Sequence, residues 1–195
     1  MKNALIFFAA VHFQLGLAFA AEVVSNTGGT AAGSLSPQST LWLAQRFTTD
    51  DQEYEVTSVT FRGARHPAHS LAIYVYAHDA VGDAPVAGAT GFGQMDASAV
   101  TTTLGEQIVP AMGTITLQPN TAYWIVIQPS DSNTAFWTQT SDLGNLSGPG
   151  TIENRRAFSS DGGASWTGST NGSTNLMIAV DAETVPVELM RFEIK

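Results

Sequence analysis

Along residues 71–76 the side chains alternate, with Leu71, Ile73 and Val75 on one face and Tyr74 and Tyr76 on the other, the two-residue period of a β-strand. Residues 123–127 alternate too, but Trp124 and Val126 are as apolar as Tyr123, Ile125 and Ile127, which predicts a central strand covered on both faces. Further strands are predicted over residues 41–48, 54–62, 114–117, 135–140, 156–159, 165–168 and 176–181, and residues 104–111 read as loop and strand. No segment after Ala21 carries a helical period of useful length. Turn-forming clusters such as Asp50-Asp51, Gly82-Asp83-Ala84-Pro85, Pro119-Asn120 and Gly148-Pro149-Gly150 punctuate the runs. Many short strands closed by turns predict an all-β fold, an antiparallel β-sandwich of jelly-roll-like type. Residues 28–39, rich in Gly, Ser, Thr and Ala, read as a loop across the sandwich end. No internal repeat of the kind that builds propeller blades is visible.

The first twenty residues break this pattern. One basic residue, Lys2, precedes apolar runs over residues 4–11 and 15–20, ending in Ala18-Phe19-Ala20, the layout of a secretory signal peptide cut before Ala21. His12 and Gln14 interrupt the apolar core, which disfavours a membrane-spanning helix. The expected organisation is a signal peptide over residues 1–20, one β-sandwich domain over 21–182 and a strand-like tail over 183–195. Within the tail, Val187 to Ile194 follows Pro186 and reads as a strand able to pair with a sheet edge, its own or a partner's. No cysteine is present, so disulfides cannot staple the domain and burial must hold it. At about 175 residues after cleavage it is long enough to bury roughly 70% of its unfolded surface.

Charge narrows the partners. Eight Lys and Arg against seventeen Asp and Glu give a formal net charge of −9, which would be repelled by nucleic acid and by anionic lipid. Charged residues make up only 13% of the chain, and the acidic balance is expected to serve solubility.

Residues 159–166, Ser-Ser-Asp-Gly-Gly-Ala-Ser-Trp, fit the Asp-box pattern Ser/Thr-x-Asp-x-Gly-x-x-Trp through Ser159, Asp161, Gly163 and Trp166. A short acid bonding its own backbone beside a glycine predicts a hairpin turn, with Trp166 folded over that turn. Such boxes are known from sialidases and other propellers, where they sit away from the catalytic centre. His66, His69 and His78-Asp79 are the only histidine cluster, and Pro67 denies them the helical i, i+4 spacing of paired metal ligands. Asp50, Asp51, Glu53 and Glu55 form an oxygen-rich run that makes calcium a possible ligand, with a solvated turn as the plainer reading; no other cofactor is expected. No serine-hydrolase elbow, zinc-protease motif, phosphate loop or cysteine nucleophile occurs, so no catalytic role is expected. Exposed aromatic rings grip sugars or peptides on many sandwich domains. Trp137, whose strand neighbours Thr138 and Gln139 are polar, is the first candidate for such a contact, then Trp42, Tyr74 and Tyr76.

Taken in order, residues 44–49, 54–61, 71–74, 122–127, 159–166 and 177–180 resemble the choice-of-anchor R domain family of secreted bacterial proteins over roughly residues 23–182. The resemblance implies a secreted β-rich domain followed by a surface-sorting tail. The present tail lacks the apolar span and basic cluster of a sorting anchor and resembles instead the Pro-Val-Glu-Leu-x-x-Phe strand that links one β-domain to the next. The expectation is therefore an extracellular or cell-envelope module without a membrane span once cleaved, binding carbohydrate or a protein surface. The alternatives are a structural subunit of a surface assembly, self-associating through the tail strand, and a glycan-acting hydrolase.

Overall fold

The structure, a computed structural model, describes residues 20–65, 70–88, 91–129, 135–168 and 172–186. Residues 1–19 of the expected signal peptide, His66 and His69, and the expected tail strand from Val187 to Ile194 lie outside the described residues.

The chain begins with β1 (Ala21–Ser25), β2 (Ala31–Leu35), β3 (Trp42–Thr48), β4 (Tyr54–Arg65) and β5 (Leu71–Asp79). Then come β6 (Ala84–Pro85), β7 (Gly93–Met95), a 3-10 turn (Ala97–Ala99), β8 (Gly105–Pro110), β9 (Thr116–Leu117) and β10 (Ala122–Pro129). It closes with β11 (Ala135–Thr140), β12 (Thr151–Ser159), β13 (Thr167–Gly168), β14 (Asn175–Leu176) and β15 (Ile178–Thr184). The first sheet runs β1-β15-β4-β11-β14, with β2 on β11 and with β8 and β9 on β4; the second runs β13-β12-β3-β10-β5-β6, with β7 on β5. Every named strand pair is antiparallel. From β3 onward the chain passes from one sheet to the other with each long strand, the winding of an all-β, jelly-roll-like sandwich. Among the described residues no helix is long and apolar enough to cross a membrane.

The predicted alternation is what divides inside from outside. Leu71, Ile73 and Val75 of β5, with Tyr123, Ile125 and Ile127 of β10 and Leu43 and Phe47 of β3, face the first sheet. There they meet Val59, Phe61, Val109, Leu117, Trp137, Ile178 and Val180. The opposite set, Ala44, Tyr76, Trp124, Val126 and Ala157, forms a second buried cluster on the outer face of the second sheet, with Trp42, Tyr74 and Trp166 packed against it. β10 lies between β3 and β5 and is buried on both faces, as its doubly apolar run predicts; each such side chain contributes about 1.5–3 kcal/mol.

Residues 28–39 are not simply a loop. β2 within them pairs with β11 from Leu35↔Trp137 to Ala31↔Thr140. Its Ala-Ala-Gly-Ser run has no apolar alternation, because the strand is almost wholly exposed and is held by main-chain bonds. β12 likewise starts at Thr151, ahead of the predicted 156, since a bulge between Ile152 and Arg156 breaks its period.

Candidate functional site

Residues 159–166 connect β12 to β13 in a hairpin with Ala157↔Gly168 and Phe158↔Thr167 in register. The Ser159 hydroxyl donates to Asp161 Oδ1 at 2.7 Å and accepts from the Gly163 N–H at 2.7 Å. Asp161 also receives the Ser165 N–H at 2.9 Å and the Ser165 hydroxyl at 2.6 Å. The Ser165 and Ser159 donors hold its carboxyl down to about 2. Gly162 and Gly163 turn the chain with φ of 72° and 85°, the left-handed region that glycine enters without penalty.

Trp166, expected over its own turn, reaches the neighbouring sheet. Its ring packs against Trp42 of β3 and Tyr76 of β5, with centroids 6.4 and 6.2 Å apart. The hairpin is thus laid over the outer face of the second sheet, and a Cβ on Gly163 would overlap the Trp42 ring. The Gly88 N–H donates to the Gly163 carbonyl at 2.9 Å, so the loop after β6 docks on the same turn. Tyr74 meets Tyr76 edge-on at 6.4 Å, and Gln128 Nε2 donates to the Tyr76 hydroxyl at 2.7 Å.

Farther along this face, charge replaces aromatic rings. Arg46 hydrogen-bonds Asp83 at 2.6 Å and forms an ion pair with Glu153 at 3.1 Å, and Arg155 forms an ion pair with Asp83 at 3.2 Å. Beside them Trp124 Nε1 donates to His78 Nδ1 at 3.2 Å. Burial, then the Arg46 charge, pushes the His78 imidazole below its ordinary value, in keeping with its acceptor role.

Of the aromatic residues singled out from sequence, Trp42, Tyr74 and Tyr76 come together here. Trp42 and Tyr74 are half-buried and Tyr76 is nearly sealed. Trp137 does not join them, and its expected exposure is corrected. It is 0% exposed, meets Phe61 edge-on at 6.2 Å and donates from Nε1 to the Met177 carbonyl at 2.9 Å. Its polar neighbours misled because Thr138 is itself buried, its carbonyl accepting the Met177 N–H at 2.9 Å.

The acidic run between β3 and β4 bonds within itself. Asp50 Oδ1 accepts from the Gln52 N–H at 3.2 Å and the Tyr54 hydroxyl at 2.9 Å, and Asp51 accepts from Gln52 Nε2 at 3.0 Å. Burial together with the Asp50 bond pushes the Tyr54 phenol up to about 12. The Glu53 carbonyl accepts the Val185 N–H at 3.0 Å. Among the described residues no group of three or more histidines, aspartates and glutamates is placed to hold a metal ion.

Sequence reasoning missed a cleft on the flank of the sandwich. In β12, Arg156 stands opposite Gln45 and Phe158 opposite Leu43. Leu43 belongs to the core, and Gln45 Oε1 accepts the Leu176 N–H of the first sheet at 2.8 Å. Directly opposed residues share a face, so Arg156 and Phe158 lean toward the gap between the sheets. With Leu35, Leu43, Gln139, Ala157, Thr174 and Leu176 they line a space of about 410 Å³. Arg156 and Phe158 keep the phase of the core residue Ile152, and the pairing of β12 with β3 that brings them to the cleft has no signature in the sequence.

Compared with protein-family models the chain matches none, and no curated protein matches it.

Proposed function

We propose that this chain is a secreted or cell-envelope, non-catalytic β-sandwich module that recognises carbohydrate, or a protein surface, through the outer face of its second sheet. The observation that carries this reading is the gathering of Trp42, Tyr74, Tyr76 and Trp166, from the two strands that flank β10 and one hairpin, into a single ring cluster on the side away from the core. Trp42, Tyr74 and Trp166 keep part of their surface in solvent, and such rings offer sugars an apolar face. The resemblance to choice-of-anchor R domains carries no ligand with it and bears only on the secreted, β-rich part of this reading. The hydrolase alternative draws less support, since Asp83 and Glu153 are both tied to Arg46 in place of the two carboxylates flanking a scissile bond that glycoside hydrolysis needs.

The test is a glycan array probed with the domain, followed by titration of the best hit. Tyr74→Ala, whose ring lies at the rim of the cluster, is expected to weaken that hit about ten-fold, the effect of losing one aromatic contact, with thermal stability little changed. Binding that survives both Tyr74→Ala and Trp42→Phe at full strength would remove this face from consideration.

A further inference from the structure

Arg156 poses a problem that the outer face does not answer. The chain holds seventeen acids, and Arg46 and Arg155 both pair with acids. Arg156 is half-buried, yet among the described residues it has neither a carboxylate nor a hydrogen-bond partner. Burial draws its pKa down, and a desolvated cation without a counter-charge is costly.

The surroundings are built to keep the guanidinium where it is. A Cβ on Gly172 would come within 2.7 Å of Arg156 Nη2, so the absence of a side chain at residue 172 makes the room. Asn154 Nδ2 donates to the Gly172 carbonyl at 2.9 Å and fixes that strand of backbone beside it. Across the cleft, Gln139 Nε2 donates to Thr174 Oγ1 at 3.0 Å, which leaves the threonine proton and the Gln139 carbonyl oxygen to meet a ligand. The remaining walls are Leu35, Leu43, Phe158 and Leu176. At about 410 Å³ the space lies toward the lower end of the range that holds small molecules, roughly 300–1,000 Å³.

We propose that this flank cleft is a binding site for a small carboxylate with an apolar body, the acid paired with Arg156 and hydrogen-bonded by Thr174, the body laid among Leu35, Leu43, Phe158 and Leu176. A planar guanidinium matches a carboxylate with two parallel bonds. One cation suits one negative charge, and the apolar walls reject a ligand that is polar throughout. The same chemistry is offered by a free aliphatic acid and by the C-terminal residue of a peptide.

Titration of the whole protein with octanoate and with N-acetyl-leucine, followed by calorimetry, separates these sources. Saturable one-to-one binding of either is expected, the tighter of the two identifying the source. Octanol, of equal length but uncharged, is expected to bind at least ten-fold more weakly than octanoate, and Arg156→Gln to weaken octanoate by a similar factor. Leu35→Trp, which fills the cleft and leaves the arginine in place, is expected to abolish binding, and guards against a folding defect in the first variant. Equal binding of octanol and octanoate, undiminished octanoate binding by Arg156→Gln, or no saturable binding of either acid would overturn the site.

Discussion

At the scale of single residues, the hairpin turn shows how a few atoms fix a larger surface. Gly163 combines a φ of 85° with a position against the Trp42 ring. Gly163→Ala therefore meets two penalties, the left-handed conformation and overpacking, and is expected to lower the unfolding free energy by about 2–4 kcal/mol, read as a reduced urea midpoint at unchanged slope. Asp161 acts through protons. Its folded-state value of about 2 lies below the ordinary carboxylate range, so the folded protein binds fewer protons than the unfolded chain across that interval. Its contribution is fully present above about pH 4 and fades as the pH falls toward 2. Unfolding midpoints measured from pH 5 to 2 should fall less steeply in Asp161→Asn than in the parent.

At the scale of elements, the bulge in β12 needs an internal partner, and Gln45 of β3 provides it. Its Nε2 donates to the carbonyls of Arg46, Glu153 and Arg155 at 3.2, 2.8 and 3.1 Å, and its Oε1 accepts the Leu176 N–H at 2.8 Å. One fully buried amide thus joins the bulged strand to the opposite sheet. Gln45→Leu keeps the volume and removes these bonds, leaving main-chain groups of Glu153, Arg155 and Leu176 unanswered. The expected loss is about 3 kcal/mol or more, measured by urea unfolding, together with faster amide hydrogen exchange along β12. The strands themselves were legible where side chains carried the signal. The faces of β5 and the double burial of β10 followed from which positions are apolar. β2 did not, because an exposed strand of Ala, Gly and Ser is specified by the neighbour it bonds. The bulge did not either, and with it went the start of β12 at Thr151.

For the molecule as a whole, alternation and turn spacing sufficed to read an antiparallel sandwich, but not which aromatic rings meet on its surface. Trp137 and Trp42 look alike in a strand pattern; one sits in the interior and the other under the hairpin because the sheets cross in an order that local sequence does not encode. That order also governs timing. β15 is an inner strand of the first sheet, flanked by β1 and β4, and Asn26, just after β1, bonds Ile178 through both its main chain and its side chain. A polypeptide that emerges amino end first therefore has β1 and β4 waiting, without a common partner, until residues 178–184 arrive. Contacts so distant along the chain form late and slowly. Until that strand is out, the first sheet lacks an inner member, and the second sheet, whose strands have all been made by then, has no complete layer to close upon.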